Sequence, residues 1–227
     1  LQDDFLDSSS NGNNGTNYGS TDTSGKIGDG QNFSSDFITI DPVSNDVASS
    51  NITVSAWINT TSHGNPTWGA TTGFNTSSGG NVILSGVLDG EFQTHDGVWH
   101  ENGTAIVNDG NWHYVVMVLN DSSNLVTSYV NGSSDQSFAS TAVISATDRF
   151  TLGMEWDSSS PTDYFAGDID EVRVSSTVRS LQWISTSYNN QNSPSAFHSQ
   201  GSEVTTPAIL DANGKAMDIA GTWTSKA

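Results

Sequence analysis

Three tryptophans set in polar, turn-rich stretches, Trp68, Trp99 and Trp156, are the residues of this chain best suited to meet a ligand. An exposed indole offers a flat apolar face on which the C–H face of a sugar ring stacks, so these three are read as ligand-binding residues. Trp57, Trp112 and Trp183 sit in alternating or helical patterns and are assigned to packing. Catalytic chemistry is poorly supplied. Ser, His and Asp are plentiful, but no Gly-x-Ser-x-Gly elbow occurs. His95, His100 and Glu101 lie close together around an Asp-Gly turn, yet His100 and Glu101 face opposite ways in a strand, which makes a poor transition-metal site. His113, directly after Trp112 at a strand entry, reads as a packed, hydrogen-bonded residue. The segment DSSSNGNNG (7–15) lacks the spaced acids and terminal Glu of an EF-hand and reads as a glycine-stabilised turn.

The elements that must hold these residues are strands. The segment 109–132, DGNWHYVVMVLNDSSNLVTSYVNG, gives a turn, an alternating strand, a polar turn, a partner strand and a closing Asn-Gly. In NITVSAWINT (51–60), Ile52, Val54, Ala56 and Ile58 share one face and Trp57 takes the other, so both faces of that strand are covered. Residues 61–80 read as a long polar loop carrying His63, Trp68 and Phe74. Short strands separated by Asp-Gly and Asn-Gly follow, with a spacing of turn signals typical of an all-β sandwich or barrel, and then the strands RFTLGMEW and YFAGDIDEVRVSS. Val178, Leu181, Ser185 and Tyr188 follow helical spacing and predict one short amphipathic helix closing the sandwich. From Asn189 the composition turns polar and Pro-containing. The expected organisation is a β-sandwich over 1–188 and a linker with an extended tail over 189–227, where Ile209, Leu210, Met217, Ile219 and Trp223 are candidate anchors on the same domain or on a neighbouring subunit.

Composition narrows the partners. The chain has 25 Asp and Glu against 6 Lys and Arg, a formal net charge of -19 over 227 residues, and no cysteine. That field repels phosphate backbones and acidic lipid and attracts cations, so nucleic acid is excluded as a partner, and no apolar run approaches the length needed for membrane insertion. Without cysteine there is no disulfide, thiolate zinc site or thiol catalysis. Scarce Lys, abundant Ser, Thr, Asn and Gly, and repeated Asn-x-Ser/Thr sites point to an extracellular or cell-surface protein. Asn32, Asn59, Asn75, Asn102, Asn120 and Asn131 are the expected glycan acceptors.

The segments DSSSNGNNGT (7–16), GKIGDGQNF (25–33), ITVSAWI (52–58), DGNWHYVVMVLN (109–120), YVNG (129–132) and FAGDIDEVRVS (165–175) together resemble the laminin G-like domains of the concanavalin A-like lectin/glucanase superfamily, in the form common in bacterial and archaeal surface proteins. The resemblance implies an all-β jelly-roll sandwich of two antiparallel sheets, with the short C-terminal helix and the extended tail appended. It also implies a structural Ca²⁺ where the first strand meets the last. Asp170, with Asp4, Asp7 or Asp3, would supply the oxygens, the alternative being that Asp170 caps a turn or pairs with Arg173 or Arg149. Glycosidases of this fold carry a Glu-x-Asp-x-x-Glu string. Here Glu155 with Asp157 is the nearest pair and no third acid follows at the needed interval, so no enzyme is expected. The expected function is an extracellular, non-catalytic adhesion or carbohydrate-binding module whose partners are glycans or neighbouring surface-protein subunits. The alternative is a structural subunit of a surface filament or layer, a homo-oligomer assembled through its termini.

Overall fold

The computed structural model of the chain describes residues 5–48, 51–63, 68–100, 102–157, 160–197, 209–210 and 216–217. The chain divides into two units, Leu1–Ser193 and Pro194–Ala227. The first unit begins with β1 (Thr16–Tyr18), β2 (Thr21–Ser24), β3 (Asp29–Ser34), β4 (Phe37–Thr39) and the short helix α1 (Val43–Val47). It continues with β5 (Ile52–Asn59), β6 (Trp68–Asn75), β7 (Asn81–Leu88), β8 (Glu91–His95) and β9 (Trp99–His100). After these come β10 (Trp112–Asn120), β11 (Leu125–Val130), β12 (Ser133–Ala139), β13 (Arg149–Leu152), β14 (Glu155–Asp157), β15 (Ser160–Thr162), β16 (Ala166–Ser175) and helix α2 (Leu181–Asn192). In the second unit α3 (Pro194–Phe197) precedes β17 (Ile209–Leu210) and β18 (Ala216–Met217), which pair antiparallel.

Among the described residues the strands form two seven-stranded sheets, ordered β1-β4-β13-β6-β7-β8-β9 and β12-β11-β10-β5-β16-β3-β2. This is the expected jelly-roll sandwich. Its core draws on both sheets, with Phe33, Ile52, Ile58 and Ile169 from one and Ile38, Phe74, Phe92 and Phe150 from the other, all buried. Each such side chain contributes about 1.5–3 kcal/mol by leaving water.

The 109–132 hairpin forms as its residues dictate. β10 and β11 pair from Val115 opposite Val130 to Asn120 opposite Leu125. Asn131 (φ 50°) and Gly132 (φ 80°) then form the two-residue turn into β12. Two consecutive positive φ angles suit an Asn-Gly pair and match the twist of the strands. β5 is buried on both faces. Ile52, Val54, Ala56 and Ile58 enter the core, while Trp57 joins Tyr114, Val116, Val118 and Ile184 in a second apolar cluster under α2.

Two sequence expectations change. The stretch 61–80 is not a continuous loop, because Trp68–Asn75 is a buried strand inside the first sheet. Its Gly and Thr residues hide the alternation, and they are small because neighbours come close. A Cβ on Gly73 would lie 2.0 Å from Leu84 Cδ2, and one on Gly86, across in β7, would lie 2.9 Å from the Trp68 ring. The closing helix α2 forms, but its inward face carries Ile184 and Gln191 with Tyr188, whereas Leu181 is exposed. A polar residue serves as an anchor here, which an apolar stripe does not reveal.

Candidate functional site

The three loop tryptophans meet different fates. Trp68 lies in β6 with 3% of its surface exposed, and its Nε1 donates to Glu155 Oε2 at 3.0 Å, so its ring is a packing element and not an open sugar platform. The side chain of Trp99 lies outside the described residues. Trp156 is half-buried in β14, its backbone N–H donating to Asn75 Oδ1 at 3.1 Å. The guanidinium of Arg149 lies over the Trp156 ring, 4.1 Å from its centroid, a cation–π contact that fixes the arginine in place.

Arg149 belongs to a cleft of about 350 Å³ whose walls come from three separate turns. Asp41 and Pro42 come from the turn into α1 and Asn45 from α1 itself, Ser77 from the β6–β7 turn, and Ala146, Thr147 and Asp148 from the approach to β13. The size falls at the lower end of the roughly 300–1,000 Å³ typical of small-molecule sites. Arg149 Nε and Asp41 Oδ1 are 3.6 Å apart. That separation lets the charges interact but is too long for a hydrogen bond, so the guanidinium keeps protons to give and the carboxylate keeps lone pairs to receive. Partial burial raises the Asp41 carboxyl above the ordinary range, and the nearby Arg149 works against that rise. Asp148 is buried and caps its own turn, its Oδ2 accepting from Ser145 N at 2.7 Å. A donor, an acceptor and neutral Asn45, Ser77 and Thr147 around a shallow cleft form a hydroxyl-binding set. Sequence reading reached Trp156 but missed Asp41 and gave Arg149 another partner. The signal was an arginine opening a strand seven residues before a loop tryptophan, in a chain with only six Lys and Arg.

The carboxylates expected to hold a metal are anchored by hydrogen-bond donors. Asp170 is fully buried, and its oxygens accept from Ile27 N (2.9 Å) and Glu171 N (2.7 Å), beneath the Gly25–Gly28 turn. Burial raises its pKa, and those two donors oppose the shift. Asp7 accepts from Ser9 N, Ser9 Oγ and Asn13 N, and the serine hydroxyl foremost lowers its pKa. Asp4 lies outside the described residues. Asp7 lines a second, larger groove of about 980 Å³ together with Asp46, Glu171, Arg173 and Arg179, whereas Asp170 is not part of that lining. Arg173 pairs with Glu171 and Arg149 with Asp41, so neither arginine is the counter-ion of Asp170. Glu171 stands in a β-bulge of β16 at φ 49°, a backbone setting that costs a non-glycine residue about 1–3 kcal/mol.

His95, His100 and His113 are held by hydrogen bonds within the fold. His113 Nε2 contacts Asp109 Oδ1 at 2.9 Å, and Asn131 Nδ2 donates to His113 Nδ1 at 3.0 Å, which assigns the ring proton to Nε2. His100 stacks on Phe138 and contacts Asp96, while Gly97 N donates to His95 Nδ1. Glu101 lies outside the described residues. Of the six expected glycan acceptors, Asn102 is exposed and Asn59 half-buried. Asn32, Asn120 and Asn131 are half-buried with their side chains bonded to Asp168, Ser123 and Tyr114 respectively. Asn75 corrects the expectation. It is completely buried, with Nδ2 donating to Thr151 Oγ1, and the folded chain leaves no room for a sugar there.

Comparison with known proteins agrees with this architecture. The family model described as the concanavalin A-like lectin/glucanases superfamily matches residues 29–185. Domain 4 of AbnA, an extracellular arabinanase of Geobacillus stearothermophilus solved in complex with arabinotriose, superposes with a TM-score of 0.62 at 21% identity, covering 80% of this chain and 91% of that one. The binding domain of Paraclostridial Mosquitocidal Protein 1 gives 0.64 at 14% identity over 84% of this chain and 50% of that one. The native heptameric SAP-like pentraxin of Limulus polyphemus gives 0.54 at 18% identity over 62% and 70%. At these identities the likeness is one of fold. No curated protein matches the chain in sequence.

Proposed function

This chain belongs to the concanavalin A-like lectin/glucanases superfamily, and we propose that it is an extracellular, non-catalytic module that binds carbohydrate and serves adhesion. The observation that carries this reading is the Arg149–Asp41 pair beside Trp156. A cation and a carboxylate held 3.6 Å apart at the wall of an open cleft are set to share the hydroxyls of a sugar. Non-catalysis is supported by Glu155, the acid closest to a hydrolytic pattern. It is 7% exposed, and its two oxygens accept from Trp68 Nε1 and Asn81 Nδ2. A glycan array probed with the chain and with Arg149→Ala tests the reading. Binding by the first and its loss in the second are expected. Equal signals from both, or polysaccharide turnover that disappears in Glu155→Gln, would reject it.

Calcium belongs to the same proposal as a stabilising ion. Among the described residues no three acidic or imidazole side chains gather at one point, so an ion at Asp7 would take most of the several oxygens that a hard cation needs from backbone carbonyls and water. Excess Ca²⁺ should then raise Tm and a chelator lower it, and an unchanged Tm in both removes the ion from the account.

A second reading, a structural subunit that accepts a strand from a neighbouring copy, is favoured by one observation. β16 pairs with β3 only as far as Ile169 opposite Gln31, whereas its pairing with β5 continues to Ser175. Among the described residues, 171–175 therefore have a strand on one side only, and the 980 Å³ groove, with Val172, Val174, Ile40 and Phe150 in its lining, lies beside them. An exposed edge over an apolar floor suits strand addition. Silence on the glycan array together with concentration-dependent assembly would favour this reading over the first.

A further inference from the structure

We infer that the Arg149 cleft takes neutral sugars bearing adjacent hydroxyl groups and rejects uronic and sialic acids, because its one cation is already matched by Asp41. This rests on the glycan reading above and goes beyond it to the class of sugar. Among the residues lining the cleft, Asp41 and Asp148 carry two negative charges against the single positive charge of Arg149, a balance of 1 − 2 = −1. The chain around it carries −19. A sugar carboxylate seeking Arg149 would have to displace Asp41 from its 3.6 Å approach and enter a net negative cleft. Nor can the guanidinium turn away freely, since Trp156 holds it from one face.

A pair of neighbouring hydroxyls meets no such obstacle. One donates to the Asp41 carboxylate and the other accepts from the Arg149 guanidinium, using the hydrogen-bonding capacity that their 3.6 Å contact leaves unspent. Asn45 and Ser77, both neutral, can serve further hydroxyls as donor or acceptor.

The test is a glycan array holding matched neutral and carboxylated members, such as galacto-oligosaccharides and galacturonate oligomers, followed by titration calorimetry on the members bound. At low salt, neutral members should bind at least about tenfold more tightly than their carboxylated counterparts, a gap that narrows as salt screens the cleft. Asp41→Asn should weaken neutral binding and shrink the gap. Tm of the variant checks that it folds, and Asp41→Glu, which keeps the charge, should restore discrimination. Carboxylated members bound as tightly as neutral ones in an Arg149-dependent way would overturn this inference and leave the glycan reading standing. Binding indifferent to Arg149, or none on the whole array, would overturn both.

Discussion

Trp57 Nε1 donates a 2.8 Å hydrogen bond to Gln191 Oε1, tying helix α2 to the face of β5 turned away from the core. Both residues are buried, and Gln191 Nε2 in turn donates to Ser187 O within the helix. Lys26 lies over the same indole, 4.5 Å from its centroid, and reaches Asn192 Oδ1 with its ammonium group. Gln191→Leu should therefore leave a buried N–H without an acceptor and cost about 1–3 kcal/mol. The measurement is the urea midpoint with the slope of the transition unchanged. A midpoint equal to that of the parent would show that the contact does not stabilise the fold.

Glu155, in the two-stranded β14–β15 sheet, plays the same part for Trp68 of the other large sheet: the indole N–H of Trp68 and the amide of Asn81 both donate to it. In Glu155→Gln one acceptor becomes an NH₂ group facing a donor. The expected loss is about 1–3 kcal/mol, read as a lower Tm and a shift in tryptophan fluorescence as Trp68 loosens. An unaltered Tm would mean the amide is accommodated and the carboxylate is not needed.

Gly25 has no room for a side chain. A Cβ there would lie 2.5 Å from Asp170 Oδ2 and 2.9 Å from the Asp29 backbone. Gly25→Ala should push Asp170 off Ile27 N and destabilise by about 1–3 kcal/mol, with faster amide exchange at Ile27. Retained protection of that amide would show that the turn adapts.

Acid acts on the carboxylates in two opposing ways. The hydrogen bond from His113 foremost holds Asp109 well below the usual range, and that from Ser9 lowers Asp7. A depressed folded pKa gives stability that is present above the unfolded value, about 3.9, and is lost as pH falls through the folded value. Burial raises Glu155, Asp163 and Asp170. For these the native state binds its proton more tightly, so stability declines as pH climbs from about 4 through the raised values. Urea midpoints should accordingly decline as pH rises from about 4 through the range where the buried acids ionise, and fall again below about pH 4. A midpoint that climbs steadily to pH 7 would contradict the assignment of the buried acids.

Much of the scaffold is legible in the residues because burial leaves a periodic mark. The alternation of Ile52, Val54, Ala56 and Ile58 against Trp57 specifies a strand covered on both sides, and Asn131-Gly132 specifies the turn that follows β11. β6 escaped that reading because its partners demanded small residues. Gly69, Ala70, Thr71, Thr72 and Gly73 look like a loop until Leu84 is seen packed against Gly73, and the Trp68 ring against Gly86 of β7. The candidate cleft was legible only through Trp156, which stacks on Arg149 without lining the cleft itself. Asp41 and Arg149 are 108 positions apart, and nothing local in either segment announces that the sheet order brings β4 and β13 side by side.

The central claim is that sugar is bound between Asp41 and Arg149 beside Trp156. Its most direct measurement is NMR mapping of ¹⁵N-labelled chain titrated with the strongest glycan from the array. The account predicts saturable shifts at the Arg149 side chain, the Trp156 indole and the amides of Asp41, Asn45 and Ser77. Shifts confined elsewhere, at the stacked Tyr18–Phe37 pair or along the β16 groove, would contradict it.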